Sequence, residues 1–205
     1  MLILASASPR RRELLAQAGY AFQVRPAHVN EEVRADEDAI AYVARLAREK
    51  AQTVFEATGD ATAVVLGADT TVTVDGQILA KPEDEADAAR MLRMLSGRTH
   101  RVMTGVAVAT SSGGVDLPPG TPEHRVLTPR VEMAVEVTGV RFVTLSDEEI
   151  AAYVATGEPM DKAGAYAIQG RAGRWIPRVE GCYFNVVGLP LALVTTMLEA
   201  VGVRT

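Results

Sequence analysis

Apolar and polar positions along the chain switch between the two-residue period of strands and the 3.6-residue period of helices. Residues 2–5 form a short apolar run suited to a buried strand, and Ser8-Pro9 behind it supplies an N-cap with proline at the first helical position. That helix is predicted to run to about Ala18 and stop at Gly19. Residues 22–24 suggest a second strand. From about Asp36, Ile40, Val43, Ala44, Ala47 and Ala51 define one face of a long helix, with Arg45, Arg48 and Lys50 beside the apolar stripe. Residues 63–66 read as a strand ending in Gly67-Ala68-Asp69-Thr70, and residues 72–74 lead into the hairpin signal Asp75-Gly76. Lys81-Pro82 follows the return strand.

Further along, Ala88, Met91, Leu92 and Leu95 predict a helix over 84–96, closed by Gly97. Strands are predicted over 102–109, 131–143 and 175–179, and a terminal helix over 191–201. Ser146-Asp147-Glu148-Glu149 has the form of a helix cap with acidic residues in the first turn, and that helix ends near Gly157. The stretch 111–129 is rich in Ser, Gly and Pro and is expected to be a long surface loop. Alternating strands and helices are the mark of an α/β fold. With no repeat and no linker-like shift in composition, residues 1–205 are expected to form a single domain.

Composition narrows the field of function. With 48% hydrophobic and 23% charged residues in 205, the chain has the makings of a sizeable core and not of a disordered segment. A net charge of −5 argues against a nucleic-acid coat, which needs a concentrated basic surface. The lone Cys182 excludes an intrachain disulfide framework and a multi-Cys zinc site. The N-terminus places its arginines after a short apolar run, the reverse of a secretory signal, and no run reaches the ~20 apolar residues of a spanning helix. The expectation is a soluble, cytoplasmic protein without membrane or nucleic-acid partners.

The usual strong motifs for nucleotide binding, zinc hydrolysis and serine hydrolysis are missing. His28, His100 and His124 lack the spacing of a metal site and are read as surface or packing residues. Ser6-Ala7-Ser8-Pro9-Arg10-Arg11 joins a strand to a helix, so backbone N–H groups and the helix dipole can meet an anion there, with bidentate help from Arg10 and Arg11. The same residues also suit an ordinary Ser-Pro cap with solvated arginines. Asp69, after a fully apolar strand, is expected at a sheet's end, either at a ligand site or capping a turn. Glu31 and Glu32 are by default solvated loop charges, yet a carboxylate there and Asp69 could together hold Mg²⁺, which takes few protein oxygens and leaves room for phosphate and water.

Of the 21 basic residues, only three are Lys: Lys50, Lys81 and Lys162. Against so strong an arginine background, a lysine marks a place where a compact point charge suits better than a planar fork, as at a bridging phosphate oxygen. Chance placement of three residues is the competing explanation.

Taken together, Ala5-Ser6-Ala7-Ser8-Pro9-Arg10-Arg11, Gly67-Ala68-Asp69-Thr70, Leu79-Ala80-Lys81-Pro82, Leu95-Ser96-Gly97, the block from Asp161-Lys162 through Gln169-Gly170, and Asn185-Val186-Val187-Gly188-Leu189-Pro190 resemble the Maf family, in order and over nearly the whole chain. The resemblance implies an α/β fold similar to the inosine triphosphatase family: a mixed twisted sheet flanked by helices, with a central cleft between two halves. It implies a nucleoside triphosphate pyrophosphatase that cleaves between the α- and β-phosphates with a divalent cation, Mg²⁺ or Mn²⁺. Family members are cytoplasmic and often dimeric. By the resemblance, Asp69 is the proton acceptor, and Arg10 (with Arg11 beside it), Thr70 and Gln169 are specificity positions. Thr70 and Gln169 resemble the branch acting on dTTP and UTP, and a Gln amide can read a pyrimidine edge that carries both donor and acceptor.

On this reading Asp69 and Glu31 hold the metal and the attacking water, while Ser6, Arg11, Lys50 and Lys81 bind the phosphates. Lys162 lines the cleft or pairs with Asp161. The departures from the family are the length of the 111–129 loop and changes such as Ala167 and Cys182. Two alternatives stand beside it: a 7-methyl-GTP or inosine-type pyrophosphatase, and a nucleotide-binding cell-division regulator without turnover.

Overall fold

The structure, a computed structural model, describes residues 1–112 and 128–205. Its described residues form seven strands: β1 (Leu2–Leu4), β2 (Gln23–Val24), β3 (Val64–Val74), β4 (Gln77–Leu79), β5 (Thr99–Ser111), β6 (Pro129–Arg141) and β7 (Arg178–Glu180). The helices are α1 (Pro9–Gln17), α2 (Ala39–Thr58), α3 (Glu85–Leu95), α4 (Asp147–Val154), α5 (Tyr183–Val187) and α6 (Leu191–Ala200). One mixed sheet runs in the order β2-β1-β3-β5-β6-β7, with β4 also on β3. β1 is parallel to β2 and β3, and the long central pairs β3–β5 and β5–β6 are antiparallel.

The caps read from the sequence are in place. Ser8 Oγ accepts from Arg11 N at the start of α1, and Ser146 and Glu149 form a reciprocal capping box at α4. Several expectations are corrected. Gly67-Ala68-Asp69-Thr70 is not the end of a strand: β3 continues through it to Val74, because β5 pairs with every one of these residues, Asp69 opposite Gly105 and Thr70 opposite Thr104. Tertiary pairing overrides the weak strand preference of Gly and Asp. Ile40 is half exposed, whereas Tyr42, Leu46 and Lys50 share the buried face of α2, so Lys50 lies within the apolar stripe and not beside it. Trp175 is buried in a 3₁₀ turn ahead of β7, and α5 was not anticipated. Ser111 and Pro129 pair as the ends of β5 and β6, and Ser112 N donates to the Thr128 carbonyl at 3.1 Å; residues 113–127 of the expected loop lie outside the described residues.

Two features of β3 create the site. On the edge away from β5, β1 pairs with β3 only as far as Leu66, and β4 joins from Val72. Residues 67–71 therefore lack a strand neighbour on that edge, and a cleft opens where the sheet is interrupted. On one face of β3, Leu66 and Ala68 pack with α1 and α6, while Val72 and Val74 pack with α3 and α4; Thr70 stands between the two clusters. On the other face lies α2, whose Ala47 and Ala51 pack against Val65.

That helix sits unusually close. A Cβ at Gly67 would lie 2.3 Å from the Ala47 carbonyl oxygen, and one at Gly105 would lie 2.3 Å from that of Val43. Both obstacles are backbone atoms, so the helix itself has to move to admit a methyl group. Gly105→Ala is expected to lower the free energy of unfolding by ~1–3 kcal/mol, the usual cost of overpacking, measured by urea denaturation. A wild-type midpoint would contradict this contact.

Candidate active site

The cleft holds about 340 Å³, inside the ~300–1,000 Å³ range of small-molecule sites. It brings together every site residue singled out from the sequence: Ser6, Arg10, Arg11, Glu31, Lys50, Asp69, Thr70, Lys81, Lys162 and Gln169.

On the α2 face, the close approach at Gly67 carries Lys50 to Asp69. Lys50 Nζ donates to Asp69 Oδ1 at 2.7 Å and to Glu31 Oε1 at 2.5 Å, so one ammonium bridges the two carboxylates through one oxygen of each. Lys50 and Asp69 are both buried, Glu31 half exposed. Burial works against ionisation of Glu31, but the hydrogen bond and charge of Lys50, with Lys81 and Arg11 farther off, hold its carboxyl below the usual range. The loop carrying Glu31 is folded back onto α2 by two side chains. Tyr42 donates its hydroxyl to the Glu31 carbonyl at 2.9 Å, and Arg45 donates to the carbonyls of Asn30 (3.4 Å) and Glu32 (2.9 Å) while its fork grips Glu37. Burial and the charges of Asp69 and Glu31 push the Tyr42 hydroxyl up to about 12, so it remains a donor.

On the opposite face, Arg11 is a clamp. Nε donates to the Gly188 carbonyl (2.8 Å), Nη1 to the Ala68 carbonyl (2.8 Å) and Ser6 Oγ (3.3 Å), and Nη2 to Thr70 Oγ1 (2.9 Å). Burial draws this guanidinium below the usual arginine range, with Asp69 pulling the other way. Thr70 Oγ1 also shares a hydrogen bond with Thr104 Oγ1 (2.8 Å), and Thr104 donates to the Asn185 carbonyl (3.2 Å). Arg11 thus reaches the cleft, but four of its hydrogen bonds go to protein oxygens. Arg10, Arg11 and Arg12 all stand in the first turn of α1, at the positive end of its dipole, an arrangement that an anion would relieve.

The lysines divide. Lys50 is bound to the carboxylates; Lys162 Nζ donates to the Glu158 carbonyl (2.7 Å) and pairs with Asp161, which also meets Arg10. Lys81 is exposed at the cleft and makes no ion pair among the described residues. Gln169 is likewise exposed there.

Two carboxylates of separate segments converge here, and the described residues contain no cluster of three or more metal-ligating side chains. That donor set fits a hard cation such as Mg²⁺, which draws on one or two carboxylates and completes its shell with phosphate oxygens and water.

Sequence reading passed over Tyr42, Tyr166 and the Gly188 carbonyl as parts of the cleft wall. Tyr42 and Lys50 lie eight residues apart on the buried face of one helix, and a lysine at core spacing was the available signal. His100, read as a surface or packing residue, is a packing residue: it is buried, its Nε2 meets the Tyr166 hydroxyl at 2.9 Å, and its ring stacks edge-on with Phe142 and Tyr166. His28 is exposed, and His124 lies outside the described residues.

The chain matches the Maf-like protein family over residues 1–201. It is 52% identical over 203 residues to a dTTP/UTP pyrophosphatase of Koribacter versatilis, covering 98% of this chain and 95% of that protein. It is 50% identical over 202 residues to the dTTP/UTP pyrophosphatase of Moorella thermoacetica (98% and 95%), and 50% identical over 190 residues to that of Salmonella typhimurium (93% and 87%).

Burial lowers the His100 pKa to about 4, against ~6.5 in an unfolded chain. Between these values the unfolded state binds more protons, so His100 contributes its full stabilisation above pH 6.5 and loses it as pH falls toward 4, about 3 kcal/mol in all. In His100→Gln, urea unfolding between pH 7 and pH 4 is expected to show a correspondingly shallower pH dependence; an unchanged dependence would contradict a neutral, buried imidazole.

Proposed function

The chain belongs to the Maf family, and we propose that it is a nucleoside triphosphate pyrophosphatase that hydrolyses dTTP and UTP to the nucleoside monophosphate and pyrophosphate. The observation that carries this reading is the ammonium of Lys50 held between Asp69 and Glu31 at an interruption of the sheet, on the wall of a nucleotide-sized cleft. Binding phosphate alone has no use for two carboxylates that repel it, whereas hydrolysis needs a base and a way to hold water.

Asp69 takes the proton of a water whose oxygen bonds to the α-phosphorus, and the bond from that phosphorus to the bridging oxygen breaks, releasing pyrophosphate. Glu31 and Asp69 would hold the divalent cation, which when bound supplies charge neutralisation at the phosphates and a water of lowered pKa. Lys50 keeps the two carboxylates together, and its hydrogen bond and charge hold the Glu31 carboxyl below the usual range. Lys81, exposed and without an ion pair among the described residues, meets the departing phosphates in this proposal, with Arg10 and the first turn of α1 at the other side of the triphosphate. Thr70 and Gln169 face the base. Ser6 and Arg11 shape the loop that receives the phosphates. A cytoplasmic setting and a homodimer, both implied by the family, belong to the same proposal. No helix of the described residues is long and apolar enough to cross a membrane.

The test is pyrophosphate release from a panel of dTTP, UTP, CTP, ITP and 7-methyl-GTP. The expected result is preference for dTTP and UTP, abolition by a chelator and recovery with Mg²⁺ or Mn²⁺. Nucleotide binding without turnover in the presence of these ions would favour a regulator instead. Lys81→Arg is expected to lower turnover about tenfold or more, because a guanidinium cannot reproduce a compact point charge; full activity would remove the lysine from the phosphate site.

A further inference from the structure

Gln169 lines the cleft, but no hydrogen bond among the described residues holds its amide. Its place is set by the backbone turn that carries it, and that turn is anchored from outside the cleft. At one end Ala167 N donates to Tyr153 Oη at 3.1 Å. The same hydroxyl donates to Glu158 Oε1 at 2.8 Å. At the other end Arg171 N donates to Glu158 Oε1 and Oε2 at 3.0 and 3.3 Å. Gly170 N closes the turn on the Ala167 carbonyl at 3.1 Å. Gly170 also lies against the carboxylate, since a Cβ there would stand 2.1 Å from Glu158 Oε1. Ile168, next to Gln169, packs against both apolar clusters that flank the cleft. Neither Tyr153 nor Glu158 lines the cleft itself.

We propose that Tyr153, Glu158 and Gly170 form a positioning unit that fixes turn 167–171 and so sets base discrimination through Gln169. The inference rests on the base-reading role of Gln169 proposed above. One carboxylate binds both ends of the turn, directly at Arg171 and through the Tyr153 hydroxyl at Ala167, so a single side chain decides whether the Gln169 amide arrives in one orientation or several. A side chain at position 170 would push the Glu158 carboxylate off the turn, since the atoms in its way are the end of that side chain.

The experiment measures kcat and KM for dTTP, UTP and CTP together with hydrogen exchange of the turn amides. Glu158→Ala is expected to lose ~10-fold or more in discrimination, expressed mainly in KM, with exchange protection lost at Ala167 and Arg171 and the unfolding midpoint near wild type. Glu158→Gln retains an acceptor oxygen for both donors and is expected to restore most of each property. Gly170→Ala is expected to behave as Glu158→Ala, and the double variant to be no worse than Glu158→Ala alone. Should Glu158→Ala fail to fold, Tyr153→Phe, which removes one hydroxyl, answers through the same readouts. Wild-type discrimination in folded Glu158→Ala, with discrimination lost in Gln169→Ala, overturns the positioning unit and leaves the reading of Gln169 intact. Unchanged discrimination in Gln169→Ala overturns that reading and this proposal with it.

Discussion

Lys50 carries a positive charge into the wall between a helix and a sheet, with 7% of its surface exposed. An unpaired charge in that position costs several kcal/mol, and removing one partner of a buried pair is far more damaging than the pair is stabilising. The ammonium therefore dictates what surrounds it. Asp69 has to lie within reach, which requires α2 to rest almost directly on β3 and β5, which in turn requires glycine at positions 67 and 105. Glu31 has to fold back from its loop, which calls for Tyr42 and Arg45 on the same helix to grip the backbone around it. A single charge thus ties together the helix packing, the composition of two strands and the course of a loop.

The other face of β3 follows a different logic. Where α2 needs closeness, this face needs separation, because Thr70 stands on β3 between the cluster around α1 and α6 and the cluster around α3 and α4. The Arg11 fork spans that seam, binding the carbonyls of Ala68 and Gly188 and the Thr70 hydroxyl, and Thr104 passes the link on to Asn185. A planar guanidinium with five donors is suited to such a junction. The interruption in the sheet lies between two walls, one tied by the Arg11 hydrogen bonds and the other by the Lys50 ion pairs.

Much of this arrangement is legible in the sequence. Helix starts were marked by Ser8 and Ser146, whose caps are local chemistry and depend on few distant contacts. The scarcity of lysine pointed to three residues that all line the cleft. Less was visible where long-range pairing decides the outcome. Gly67 to Thr70 looked like the end of a strand because Gly and Asp are poor strand residues, and only the partner strand β5 explains why β3 continues. Lys50 looked like a flank of the apolar stripe because a lysine is expected in water, and its place in the buried face depends on carboxylates from residues 31 and 69 that no helical period reveals. Arg11 resembled a phosphate ligand, while its hydrogen bonds to carbonyls at residues 68 and 188 come from segments far away in the chain.

The Lys50-held carboxylate of Asp69 is the group proposed to accept a proton from the attacking water. Pyrophosphate release from dTTP by Asp69→Asn, with its folding checked by thermal unfolding, addresses it most directly. The substitution preserves shape and removes the base, so turnover is expected to fall ~10²–10⁴-fold, the usual contribution of a positioned general base. Turnover at the wild-type rate in the folded variant would contradict it.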